Sequence, residues 1–134
     1  MKKENLFKKL RERILEKMKN LFLWYPKCST CQKAKKYLEN NHIPFEERHI
    51  VEETPTKEEL AKWIKQSKIE VKKFFNTSGL KYKELNLKEK LPTMSEEEKI
   101  ELLASNGMLI KRPLFIKEEM VLIGFKEKEW GELI

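Results

Sequence analysis

A run of five bulky apolar residues, Leu21-Phe22-Leu23-Trp24-Tyr25, stops at Pro26 and is followed at once by Cys28-Ser29-Thr30-Cys31. Nothing else in the chain limits its fold as tightly. An apolar run with no polar alternation predicts a strand covered on both faces. From Ser29 the period changes. Cys31, Ala34 and Leu38 fall on one helical face, and Lys33, Lys36 and Glu39 fall on another. Asn40-Asn41-His42 stops that helix, and Ile43-Pro44 turns the chain out of it. Residues 45–51 then alternate as a second strand, with apolar side chains on both faces and the inward face left open.

Two cysteines three apart, between a buried strand and a helix, form a chemical arrangement. A cytosolic Cys-x-x-Cys beside a β-α-β pattern reads as a thioredoxin-like redox motif. The free N–H groups and partial positive charge at the start of a helix favour a thiolate. Cys28 is therefore the expected exposed nucleophile, with a pKa below the free value of about 8.5. Lys27 beside it is expected to add positive charge. Cys31, one turn along, is expected to resolve a mixed disulfide. The structural alternative is that both are small buried apolar residues without chemistry.

Further along, Thr56 followed by Glu59 predicts a capped helix start, with Leu60, Trp63 and Ile64 as its apolar face. Residues 70–76 and 81–90 read as short helices, with Gly79 a cap or turn. Ser95 and Glu98 open another helix through Leu102, Leu103 and Ala104, which Asn106-Gly107 ends. After Arg112-Pro113, residues 114–116 and 120–123 flank Lys117-Glu118-Glu119 as a β-hairpin. Residues 125–134 allow a last helical turn or two. The expected class is α/β: a mixed sheet flanked by helices.

The residue inventory excludes other classes. The 134 residues suit one domain. Two cysteines are too few for a secreted disulfide scaffold. His42 and His49 are the only histidines, and their spacing from the cysteines matches no zinc module, so no metal is expected. Aspartate is absent, so every acid is a glutamate. No apolar run reaches the roughly 20 residues of a membrane span, and the N-terminus lacks the apolar segment of a secretory signal. A reducing cytoplasm is the expected location.

The net charge of +7 is uneven. Residues 1–20 hold eight lysines and arginines against three glutamates. The basic balance thus belongs mostly to this arm, and direct nucleic-acid binding is not expected of the domain. Residues 4–18 form an amphipathic pattern, with Phe7, Leu10, Ile14 and Met18 on one stripe. Three readings stay open. The arm docks on the domain or frays, it lies on an anionic membrane or partner, or Met18 is the natural start and residues 1–17 are an upstream addition.

Residues 21–134 resemble the arsenate reductase family of glutaredoxin type, which also contains the Spx-type transcriptional regulators. The resemblance is carried by Tyr25-Pro26-Lys27-Cys28-Ser29-Thr30-Cys31-Gln32-Lys33-Ala34 and Pro55-Thr56-Lys57-Glu58-Glu59-Leu60. It continues in Phe74-Phe75-Asn76-Thr77-Ser78-Gly79, Tyr82-Lys83-Glu84-Leu85 and Met108-Leu109-Ile110-Lys111-Arg112-Pro113. It implies a thioredoxin-like fold with a helical insertion over about residues 55–105. It also implies a cis peptide before Pro113, opposite the reactive Cys28, with Arg112 nearby to stabilise a thiolate or hold an oxyanion.

Arsenate reductases of this type hold their oxyanion with three arginines. Their positions fall on Arg112, on Asn76, and near Phe125 or Lys126, so Lys27, Asn76, Arg112, Pro113 and Lys126 are the candidate substrate-binding residues. A lysine grips an oxyanion less well than an arginine. Those enzymes usually lack the second cysteine, which Cys31 supplies here. The implied activity is thiol–disulfide or arsenate-reductase-like oxidoreduction. Cys28, Cys31 and Arg112 would be catalytic, and an external thiol system such as thioredoxin or glutathione/glutaredoxin would take the place of a bound cofactor. The implied substrates are a small oxyanion or a protein disulfide. The alternative implied by the Spx-type members is a redox-switched regulator that binds the RNA polymerase α subunit. Against that same interface, Glu70 stands about where those regulators have a contact glycine.

Overall fold

The computed structural model describes residues 2–134, with the side chains of 2–4 and 16–18 left aside. Helix α1 (Lys2–Lys19) leads into β1 (Leu21–Trp24), α2 (Ser29–Asn40) and β2 (Glu46–His49). A helical stretch follows, with α3 (Lys57–Ser67), α4 (Leu80–Glu84), α5 (Leu87–Lys90) and α6 (Glu96–Ser105) joined by short 3-10 turns. The chain closes with β3 (Leu114–Lys117), β4 (Met120–Ile123) and α7 (Glu127–Trp130).

The four strands form one mixed sheet in the order β2-β1-β3-β4. Strand β1 runs parallel to β2 and antiparallel to β3, which pairs antiparallel with β4. As the uninterrupted apolar run requires, β1 is covered on both sides. Leu23 faces a cluster with Leu60, Trp63, Phe74, Leu103 and Leu114 beneath α3 and α6. Phe22 faces a second cluster with Ala34, Leu38, Phe115 and Trp130 beneath α2 and α7. This is the expected thioredoxin-like arrangement of a mixed sheet flanked by helices.

Both predicted capping boxes are present. Thr56 accepts from the Glu59 N–H and Glu59 accepts from the Thr56 N–H, and Ser95 and Glu98 do the same. Glu59 has a second partner, because Arg48 on β2 grips its carboxylate through two bonds of 3.0 and 2.9 Å. That fork ties α3 to the edge of the sheet and holds the Glu59 carboxyl below its usual range.

The structure differs from the sequence reading in two places. Strand β2 stops at His49 rather than at Val51, because the His49 Nδ1 accepts from the N–H groups of Val51 and Glu52 and turns the chain. Only Val71–Phe74 of the expected helix over 70–76 is helical, as a 3-10 turn. Phe75 instead bridges Ile110 in an extended pairing. Of the readings left open for the arm, the structure shows the apolar stripe of α1 uncovered, with Phe7, Leu10 and Ile14 about half exposed or more. The chain is fastened just after it, where buried Asn20 donates to the Pro44 carbonyl at 2.8 Å. The Met18 side chain lies outside the described residues. No helix among the described residues is long and apolar enough to cross a membrane.

Candidate active site

The turn after β1 places the first thiol. The Cys28 N–H donates to the Tyr25 carbonyl at 2.9 Å, and Gln32 Nε2 reaches back to the Pro26 carbonyl at 2.7 Å. Cys28 is the N-cap of α2, in the extended conformation a cap requires (φ −86°, ψ 119°), and its sulfur accepts from the Cys31 N–H at 3.4 Å. A thiolate gains more from that N–H than a thiol does. No acidic residue in the first turn of α2 opposes the positive helix end.

The two thiols are driven apart in acidity. Burial pushes Cys28 up. The N–H and the thiol of Cys31, the Arg112 charge and the Thr30 N–H outweigh it, and the net pKa is lowered. Cys31 is fully buried, and burial together with its contact to the Cys28 sulfur raises it to about 12. Both cysteines are free thiols here, with Cys31 donating to Cys28. An acidic, partly exposed sulfur with a protonated one a turn behind it is a nucleophile with a resolver in place.

Arg112 precedes Pro113 across a cis peptide bond at the entrance to β3. Its guanidinium lies over the Tyr25 ring at 5.2 Å, and its Nη1 makes only long contacts, 3.4 Å, to the carbonyls of Met108 and Ile110. The Arg112 Nε is buried without a hydrogen-bond partner among the described residues. The guanidinium thus has donor capacity to spare beside the sulfur. Asn76 comes from the far side of the sheet. Its N–H donates to the Leu109 carbonyl at 2.8 Å, and the Lys111 N–H donates to the Phe74 carbonyl at 2.7 Å. Gly79 leaves room for the amide, since a Cβ there would stand 2.7 Å from Asn76 Nδ2.

Cys28, Asn76, Arg112 and Lys126 line one cavity of about 520 Å³, within the range of small-ligand sites. Its other walls are Thr30, Ser78, Gly79, Lys111, Ile123, Gly124 and Phe125. Among the described residues, three cations and no carboxylate line it. Two expected residues are elsewhere. Lys27 is exposed on the turn and is not a wall of the cavity, and the nearby charge acting on Cys28 is that of Arg112. Pro113 is buried behind the wall. Adjacency in sequence to Cys28 did not make the exposed Lys27 a wall of the cavity.

Sequence reasoning missed Lys111 and Gly124. Lys111 adjoins Arg112, and an alternating extended segment sets neighbours on opposite sides, so adjacency argued against it. Gly124, at φ +68°, carries the signal of a glycine directly after a strand. Its carbonyl accepts from the buried Trp130 Nε1 at 3.1 Å, which fixes that wall. No group of three or more potential metal ligands occurs among the described residues.

With this geometry in hand, comparison with known proteins is informative. The family model described as "ArsC family" matches residues 23–133. The uncharacterised protein YusI of Bacillus subtilis (strain 168) is 60% identical over 111 residues, covering 83% of this chain and 94% of YusI. The regulatory protein MgsR of the same organism is 34% identical over 113 residues, covering 84% and 86%. The crystal structure of a putative ArsC family related protein from Bacteroides fragilis superposes with a TM-score of 0.86 at 61% identity, covering 88% of this chain and 99% of that one. A family match over nearly the whole sheet and its helices, with relatives this similar, places the chain: it belongs to the ArsC family.

Proposed function

We propose that this protein is a thiol–disulfide oxidoreductase in which Cys28 attacks and Cys31 resolves. The Cys28 thiolate attacks one sulfur of a substrate disulfide. A Cys28–substrate S–S bond forms, the substrate S–S bond breaks, and the departing sulfur leaves as a thiolate. The Cys31 thiol passes its proton to the first departed thiolate, directly or through solvent, and attacks the Cys28 sulfur; the Cys28–Cys31 bond forms, the Cys28–substrate bond breaks, and the second substrate sulfur leaves as a thiolate. The substrate gains two electrons, and the protein loses the same two. An external dithiol of the thioredoxin or glutaredoxin kind then restores the pair. Arg112 stabilises the Cys28 thiolate and the leaving anion.

The observation that carries this reading is the contact between the two cysteines, with their acidities shifted in opposite directions at the start of α2. The cavity favours a disulfide over arsenate. By the family resemblance only Arg112 falls on one of the three arginine positions of the arsenate reductases, the second falling on Asn76 and the third near Phe125 or Lys126. The test is reductant-coupled turnover of insulin, a glutathione mixed disulfide and arsenate by the wild type, Cys28→Ser and Cys31→Ser. Disulfide turnover that needs both cysteines is expected. Turnover that survives Cys28→Ser, or none with any acceptor, refutes it.

A second reading is favoured by the likeness to MgsR: the Cys28–Cys31 bond acts as a switch that changes a partner surface. It predicts redox-dependent capture of the RNA polymerase α subunit without turnover. Capture that ignores the redox state of the pair counts against it.

A further inference from the structure

A second hollow, of about 590 Å³, opens beside the thiol cavity and shares Lys111, Ile123 and Lys126 with it. It runs along β4, the outer strand of the sheet. The backbone there is ready to pair. The Gly124 N–H donates to the directly opposed Pro113 carbonyl at 2.8 Å, and the β3–β4 register sets Leu122 against Phe115 and Met120 against Lys117. Hydrogen-bonded pairs alternate along an antiparallel ladder. Leu122 and Met120 therefore bond inward to β3, whereas the N–H and C=O groups of Val121 and Ile123 turn to the free edge, where both residues line the hollow. Four lysines stand around this edge, Lys72, Lys73, Lys111 and Lys126, against Glu70 and Glu129. Lys126 is partly held by Glu129 at 3.9 Å, and Lys72 and Lys73 are exposed.

We propose that the disulfide substrate is an acidic, extended polypeptide that adds to the sheet as a fifth strand along β4, its carboxylates on Lys72 and Lys73, and leads its cysteine into the Cys28 cavity. An unpaired strand edge with an apolar floor selects a peptide backbone, and the cation excess selects acidic side chains. The end of β4 at Ile123 and Gly124 is itself a wall of the thiol cavity, so the paired segment lies roughly two to four residues from the reacting cysteine at about 3.3 Å per residue. The inference rests on Cys28 being the attacking thiol.

Acetyl-Glu-Val-Glu-Val-Gly-Cys-amide and its Lys-for-Glu counterpart, each carrying a 2-thiopyridyl disulfide, test it. Attack of Cys28 on the peptide sulfur breaks the peptide–pyridyl S–S bond and releases 2-thiopyridone, which is followed by absorbance. The acidic peptide is expected to react at least tenfold faster at low salt, with the gap closing in 0.5 M NaCl. The double variant Lys72→Glu/Lys73→Glu is expected to abolish that preference while leaving the rate with neutral 2,2′-dithiodipyridine unchanged. N-methylation of the two valines or of the two glutamates is expected to slow the reaction in one case only, as alternate pairing demands. Equal rates for the two peptides, indifference to both methylation patterns, or stronger competition by oligothymidine than by the acidic peptide would overturn the proposal. Silence of the wild type toward 2,2′-dithiodipyridine refutes the thiol reading instead. The groove is then judged from the amide NMR signals of Val121 and Ile123, which the unmodified acidic peptide must shift and the basic one must not.

Discussion

The two faces of the sheet are built differently, and the candidate site lies on the seam between them. Beneath α2 and α7 the packing is aromatic. Trp130 is fully buried and meets Phe125 at 5.1 Å, Phe115 at 5.5 Å and Phe22 at 6.4 Å between ring centroids. Tyr37 on α2 joins the same cluster at 6.5 Å. Beneath α3 and α6 the packing is largely aliphatic, with Leu23, Ile50, Leu60, Ile64, Leu103 and Ile110 prominent. The aromatic face carries the thiol pair, and the aliphatic face carries Asn76. The nucleophile and Asn76 are therefore held by separate cores, while the Gly124–Phe125 wall belongs to the aromatic face with the sulfur. Substitutions at Asn76, Ser78 or Gly79, in the helical stretch between β2 and β3, are expected to retune the cavity while leaving the sulfur where it is.

Truncation of one fully buried side chain on each face tests this division most severely. Trp130→Ala is expected to cost about 3–5 kcal/mol and Leu60→Ala about 2–5 kcal/mol, read from urea unfolding. Stability alone does not separate the faces, but the thiol does. Trp130 fixes the Gly124 carbonyl on the cavity wall, so its loss is expected to alter the alkylation rate of Cys28 in the folded protein. Leu60→Ala is expected to leave that rate alone. Equal changes in both variants would erase the distinction.

Gly107 packs tightly against the backbone just beyond the end of β2. A Cβ there would stand 2.1 Å from the Ile50 carbonyl oxygen and 2.9 Å from the Val51 Cα. Both are backbone atoms, so no rotamer change relieves the overlap. Gly107→Ala is expected to lose about 3 kcal/mol in the same unfolding measurement. A stability within error of the wild type would mean that the contact between residues 107 and 50 yields freely.

A smaller effect comes from the seam itself. Cys28 alkylation by iodoacetamide is expected to rise with pH through a midpoint below the ordinary thiol value, because the thiolate is the reacting form. Cys31, raised to about 12, stays protonated over the same range and is expected to remain unlabelled. Arg112→Gln removes a positive charge that favours the thiolate, so the Cys28 midpoint moves upward and the rate at neutral pH falls several-fold. A profile unmoved by Arg112→Gln would assign the lowered acidity to the helix start alone, and Arg112 to the seam only by position.

How far the sequence foretold this arrangement depended on the range of each signal. Strand β1, helix α2, the caps at Thr56 and Ser95, and the β3–β4 hairpin are written in residues close together in the chain, and all were legible. The place of Cys28 at a helix start was legible for the same reason. The resemblance to a known family supplied Asn76, whose approach depends on the Phe75–Ile110 bridge between distant segments. Trp130 as the centre of a core was not legible, because the short α7 has no periodicity to mark a buried face. The stripe on α1 announced an amphipathic helix and is one, but a stripe does not say what covers it, and in this structure Phe7 and Ile14 face solvent. Lys27 shows the converse error, a charge near in sequence that does not line the site.

The smallest change sharpens the comparison by strengthening one face alone. Helix α3 is capped at its C-terminus by Lys68, which sits in the left-handed region at φ 58°, ψ 21° with its side chain exposed. An L-residue there is strained by about 1–2 kcal/mol, and glycine is not. Glycine also has more freedom to lose on folding, which returns part of that gain. Lys68→Gly is therefore expected to raise stability by about 0.5–1 kcal/mol, a shift of a few degrees in the melting temperature of a domain this size. Because α3 packs on the aliphatic face, remote from α2, the pH profile of Cys28 should not move. A stabilised protein with an altered thiol profile would show that the two faces communicate through the sheet, and the division argued above would not hold.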